Sequence, residues 1–71
     1  MEYLVVIEKG ESSFGAYVPD LPGCVAVGST RREVLQLIRE AVALHLEALR
    51  KAGEQIPPPT SKSEVIKIRA A

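Results

Sequence analysis

The chain has one cysteine, Cys24, so no disulfide can close within it. Nine basic and nine acidic side chains cancel to no net charge, and no basic block occurs. That balance argues against holding DNA or RNA by phosphate neutralisation, and no direct DNA binding is expected. Long apolar runs are also missing. The stretch Leu4–Ile7 is too short for a signal peptide or a membrane span, and no lipidation motif is present, so the cytoplasm is the expected compartment. Asn is absent and Gln occurs only at Gln36 and Gln55, a bias shared with heat-adapted proteins. Asp20 is the only aspartate. Glu2 and Glu8 fall near opposite ends of one predicted strand, and Glu40 and Glu47 on the solvent side of the predicted helix. The clustered carboxylates of a metal-dependent nuclease are therefore missing, and no catalytic, metal or cofactor site is expected.

What is present centres on the stretch from Thr30 to Gly53, the one helical pattern in the chain. At 100° per residue, Val34, Leu37, Ile38, Ala41, His45, Ala48, Leu49 and Ala52 share an arc, opposite Glu33, Gln36, Arg39, Glu40, Glu47, Arg50 and Lys51. Thr30 and Glu33 have the spacing of a capping box, in which the hydroxyl accepts from the Glu33 amide and the carboxylate reaches back to the amide of Thr30. Arg50 and Lys51 face the negative end of the helix dipole, and Gly53 can close the helix in a left-handed conformation. Roughly 22 residues at 1.5 Å each give a helix of about 33 Å.

Leu35, Val42 and Leu46 widen the apolar arc, lying roughly 80° to 120° from Val34 on the same wheel. A chain of 71 residues makes one domain, residues 1–71, and a domain of this size buries only about 60% of its unfolded surface. These three residues are therefore expected to be a contact between copies, in a dimer or larger homo-oligomer, rather than edge packing on their own sheet.

Around the helix, strand patterns recur. Glu2–Lys9 alternates and is rich in β-branched residues, with Tyr3, Val5 and Ile7 on one side and Leu4, Val6 and Glu8 on the other. A Gly/Ser loop, Lys9–Ser13, leads into a second strand, Phe14–Val18, in which Phe14, Ala16 and Val18 share a face. Pro19 ends that strand. Leu21-Pro22-Gly23-Cys24 fits a type II turn, with Asp20 placed to accept from the turn's amides. Cys24–Val27 reads as a third strand, Pro57-Pro58-Pro59 as a stiff extended spacer, and Ser63–Arg69 as a fourth strand with Ile66 and Ile68 inward. The expectation is an α+β, two-layer β-β-β-α-β domain, a four-stranded sheet in the order 3-2-1-4 with one long helix on one face. Cys24 is expected to be a buried small hydrophobe, His45 a core residue and Tyr17 a packing residue.

Tyr17-Val18-Pro19-Asp20-Leu21-Pro22-Gly23-Cys24, the VIE run at Val6–Glu8, the helix core with EA and HLE, and Gly53-Glu54-Gln55-Ile56-Pro57 stand in an order that resembles the HicB family of antitoxins. The similarity runs from Tyr3 to about Pro58. It implies a reduced RNase H-like fold and a protein that binds and blocks a small HicA-like toxin, an mRNA-cleaving nuclease. It implies no enzyme activity of the chain's own. Family members commonly carry a C-terminal DNA-binding module, which this sequence does not show. A stand-alone oligomeric regulatory or scaffolding domain is the alternative. A toxin that binds RNA is basic, and Glu8, Glu11 and Asp20, with Leu21 as an apolar anchor, are the expected partner-binding residues.

Overall fold

Backbone pairing starts at Val6 rather than at Glu2 in the computed structural model, which describes residues 1–70. Three strands precede the helix: β1 (Val6–Lys9), β2 (Phe14–Tyr17) and β3 (Val25–Gly28), then α1 (Arg31–Lys51). They form an antiparallel sheet in the order β1-β2-β3 with the helix on one side, an α+β arrangement. A four-residue turn, closed by the Gly10 N–H donating to the Ser13 carbonyl at 2.8 Å, joins the first pair.

The register decides which side chains meet the helix. Ile7 pairs with Ala16 and Ala16 with Ala26; this row faces the core, as do Tyr3 and Val5 ahead of it. Ala16, Val18, Leu21, Cys24, Val34 and Ile38 form the buried centre. Each of the three largest, Leu21, Val34 and Ile38, contributes about 1.5–3 kcal/mol by leaving water. Leu21 and Cys24 reach the core through two consecutive turns. The Leu21 N–H donates to the Val18 carbonyl and the Cys24 N–H to the Leu21 carbonyl, both at 3.0 Å. Gly23 sits between them at φ 84°, the left-handed position the type II reading requires.

The helix cap follows the expected chemistry with one shift. Thr30 Oγ1 accepts from the Glu33 amide at 3.0 Å, but the Glu33 carboxylate accepts from the amide of Ser29, at 2.6 Å, and not from that of Thr30. At the other end the Gly53 N–H donates to the Arg50 carbonyl and the Glu54 N–H to that of Leu49, a two-bond closure. The inward face is rotated toward the shoulder of the wheel. Ala41, Val42 and Leu46 pack against the core while Leu37 is exposed and His45 is half-buried at the flank. Val42 and Leu46 thus receive cover from their own chain; Leu35 is half-buried.

The fourth strand is not formed. Among the described residues, none after Ala52 belongs to a helix or strand, so the parallel pairing with β1 and the order 3-2-1-4 are replaced by a three-stranded meander. The proline segment is fastened at two points. The Tyr3 hydroxyl donates to the Pro57 carbonyl, and Thr60 and Ser61 are held by Asp20. Extending the β1–β2 register places Tyr3 opposite Asp20, so the segment is fastened at the end of the sheet, where Pro59, Ser61 and Lys62 share a cleft with Glu2, Tyr3 and Leu4.

Candidate protein-binding face

A three-stranded sheet with a helix on one side leaves its other side open, and alternation assigns every residue there. Val6 pairs with Tyr17 and Tyr17 with Val25; one step along, Glu8 pairs with Gly15 and Gly15 with Val27. Val25 and Val27 are 63% and 68% exposed, and Tyr17 is also exposed. Two β-branched side chains held out on a rigid strand, next to an aromatic ring, form an apolar strip that solvent alone covers within this chain. Glu8 borders the strip from β1, and Glu11 stands beyond it on the hairpin turn; both are exposed. The strip therefore has an acidic margin at one end.

Two of the four expected partner-binding residues are otherwise engaged. Leu21 is 0% exposed and belongs to the core, so it cannot anchor a partner: the turn that was expected to present it folds it inward. The Asp20 carboxylate does not serve the turn's own amides. It accepts four hydrogen bonds from the C-terminal segment: Thr60 N–H at 2.9 Å, Ser61 N–H at 2.9 Å, Ser61 Oγ at 2.7 Å and Thr60 Oγ1 at 3.2 Å. Glu8 and Glu11 remain available. Tyr17, expected as packing, stands on the open face, and Val25 and Val27 were not singled out in the sequence. The alternation of Cys24-Val25-Ala26-Val27, with Cys24 buried, is the signal that marks them.

The hydrogen bonds from Ser61, first its backbone amide and then its hydroxyl, hold the Asp20 carboxyl below the usual carboxylate range. A depressed folded value means that the tether's stabilisation is complete above the unfolded value and is lost as pH falls through the folded one. On acidification past the ordinary carboxylate range, the Thr60 and Ser61 amide NMR signals are expected to shift together toward random-coil positions. Asp20→Asn should show that displacement at neutral pH; signals that stay in place under both conditions would rule out the carboxylate as the tether. Burial pushes the Cys24 thiol up, away from the thiolate that redox or nucleophilic chemistry requires. Among the described residues no group of three His, Cys, Asp or Glu side chains is placed to hold a metal ion, and no helix is long and apolar enough to cross a membrane.

The family described as HicB_like antitoxin of bacterial toxin-antitoxin system matches residues 3–70. A UPF0150 protein of Thermoplasma acidophilum is 43% identical over 58 residues, which cover 80% of this chain and 84% of that protein. Antitoxin HicB 2 of Photorhabdus laumondii is 30% identical over 64 residues, 90% of this chain but 46% of that protein, so the chain spans less than half of that relative. Among solved structures, a chain from a HicA3 and HicB3 toxin-antitoxin complex superposes with a TM-score of 0.71 at 37% identity, covering 83% of this chain and 70% of that one.

Proposed function

Since the chain belongs to the HicB-like antitoxin family, we propose that it is a protein-binding domain that sequesters a small HicA-like, mRNA-cleaving toxin through the open face of its sheet. The observation that carries this reading is the likeness, at a TM-score of 0.71, to a chain from a complex that contains both partners. The open face supplies what such a partner needs. Tyr17, Val25 and Val27 are apolar anchors on a rigid sheet, and Glu8 and Glu11 attract a basic surface and set its orientation. The role is binding and blocking rather than catalysis. It also leaves DNA aside, because Arg31, Arg32, Arg39, Arg50 and Lys51 alternate with Glu33, Glu40 and Glu47 along α1, and Lys51 pairs with Glu47 at 3.3 Å.

The test is co-expression with a small basic protein of the toxin family, taken from the neighbouring reading frame where one is encoded there, followed by RNase assay and titration. The native chain should co-purify and suppress RNA cleavage. Val25→Asp combined with Val27→Asp should weaken binding about 30-fold or more, the loss of a two-kilocalorie anchor, with the thermal midpoint unchanged because both side chains are exposed. Undiminished neutralisation by that variant would remove the open face from the interface. Failure of the native chain to bind the adjacent product would favour the stand-alone oligomeric regulatory or scaffolding role instead.

A further inference from the structure

We propose that the outer flank of α1 is a second docking surface, one that takes from a partner protein an amphipathic helix with basic residues along its edge. The sheet decides which side of α1 is free for this. Val34, Ile38, Ala41, Val42 and Leu46 turn to the core, and Arg39 lines the clefts beside Tyr3, Leu4 and Val5, so that side of the helix points to β1. At 100° per residue, Leu37, Leu44 and Ala48 fall on the flank away from β1, and all three are exposed.

Nothing within the chain covers this stripe. Leu44 is 69% exposed, more than any other large apolar side chain in a described strand or helix, and Leu37 is 38% exposed. The two leucines stand seven residues apart with Ala41 and Ala48 four residues on from each, the spacing of anchors where one helix lies along another. The small residues make room. An alanine after each leucine leaves a hole into which a neighbouring helix sets its own large side chains, at an axis separation of about 8–10 Å. From Leu37 to Ala48 the stripe runs roughly 16 Å, three turns of contact.

Charge names the occupant. Glu33, Glu40 and Glu47 recur every seven residues along the solvent side of the stripe, and all three are exposed. The arginines alternate with them in sequence but not around the axis: Arg32, Arg39 and Arg50 stand roughly 60° to 100° beyond this rail. Glu33 also holds the Ser29 amide and Glu40 accepts from Gln36 Nε2 at 3.3 Å, yet neither bond cancels the carboxylate's charge. Lys51 is the one cation within the rail, paired with Glu47 at 3.3 Å, so three carboxylates face one ammonium. A helix that sets Leu, Ile or Met into the stripe therefore needs Lys or Arg along the edge that meets the rail. Two copies of this chain packed antiparallel through the stripe would set rail against rail, and like charges oppose that pairing. The apolar strip of Tyr17, Val25 and Val27 lies on the other side of the sheet, so both surfaces can be occupied at once.

The probe is a synthetic helical peptide with leucines at heptad positions a and d and lysines at e and g, set beside the same peptide with glutamates in place of the lysines. Titrated into the isotope-labelled native chain, the lysine peptide should shift the amide NMR signals of Leu37, Glu40, Leu44 and Ala48. It should bind about tenfold or more tightly than the glutamate peptide, an advantage that shrinks as salt rises. Leu44→Glu should weaken binding about tenfold with an unchanged thermal midpoint, because that side chain is exposed. Val25→Asp with Val27→Asp should bind the peptide as the native chain does while losing the toxin, so the two surfaces succeed or fail separately. No binding of the lysine peptide, equal affinity for both peptides, or signal shifts centred on Tyr17, Val25 and Val27 would overturn the proposal. So would full affinity in Leu44→Glu, or a dimeric native chain that Leu44→Glu makes monomeric, since a second copy would then cover the stripe.

Discussion

Leu21→Ala is expected to lower the thermal midpoint by at least about 10 °C, since truncating a fully buried leucine costs about 2–5 kcal/mol and each kilocalorie moves the midpoint of a domain this small by about 4–8 °C. Total stability for 71 residues is on the order of 4–10 kcal/mol, so this one side chain accounts for a large share of it. Leu21 is placed by the turns that also bury Cys24, in one core cluster with Val34 and Ile38. The measurement separates two roles. A core residue loses heat stability and partner binding together, whereas an interface anchor loses binding alone. A Leu21→Ala chain that melted like the native one and yet failed to bind a toxin would return this residue to the interface.

Gly28→Val should be nearly as damaging, for a reason that has nothing to do with backbone freedom. A Cβ at this position would lie 2.9 Å from the amide nitrogen of Val34 and 3.1 Å from its Cα, with the Glu33 carboxylate at 3.0 Å. Two of these three atoms are helix backbone, so relief requires the first turn of α1 to lift off β3. That displacement separates Glu33 from the Ser29 amide and loosens Val34 in the core. Overpacking of about 1–3 kcal/mol and a lost cap of about 1 kcal/mol together give a cost of about 2–4 kcal/mol. Chemical denaturation of Gly28→Val beside Gly15→Val resolves the cause, because a Cβ at Gly15 meets nothing within 4 Å. Equal losses at the two positions would mean that strand propensity, and not the helix contact, sets the effect.

Local chemistry made most of the fold legible. The Thr30 cap, the Gly53 closure, the Gly23 turn and the three strands are each written in a few adjacent residues, and each stands within a residue or two of the place expected, except that pairing of β1 begins only at Val6. What sequence could not show was long-range fastening. Ser63–Arg69 has every local mark of a strand yet pairs with none, and the contacts that fasten the segment before it, Tyr3 with Pro57 and Asp20 with Thr60 and Ser61, join residues about 40 to 54 positions apart. The helix wheel failed in a similar way. With apolar residues over a wide arc, only the position of the sheet could decide that Val42 and Leu46 turn toward the core and Leu37 away. In the candidate site, Glu8 and Glu11 were legible as exposed acids, but Asp20 and Leu21 were not, since their side chains are committed to partners that the turn motif does not contain.

The meander has a kinetic consequence. Each strand pairs with its neighbour in sequence, and the helix that follows packs chiefly on the last two, so the sheet is assembled from sequence neighbours while Tyr3, Val5 and Ile7 meet Ile38 and Val42 only once the helix has formed. Hairpin loops of this length close in well under a microsecond, ahead of the slower docking of the helix on the sheet. The sheet and helix thus use residues up to Gly53 alone, and the proline segment adds to them afterwards. Tethering is then a local, concentration-independent closure on a domain that is already folded.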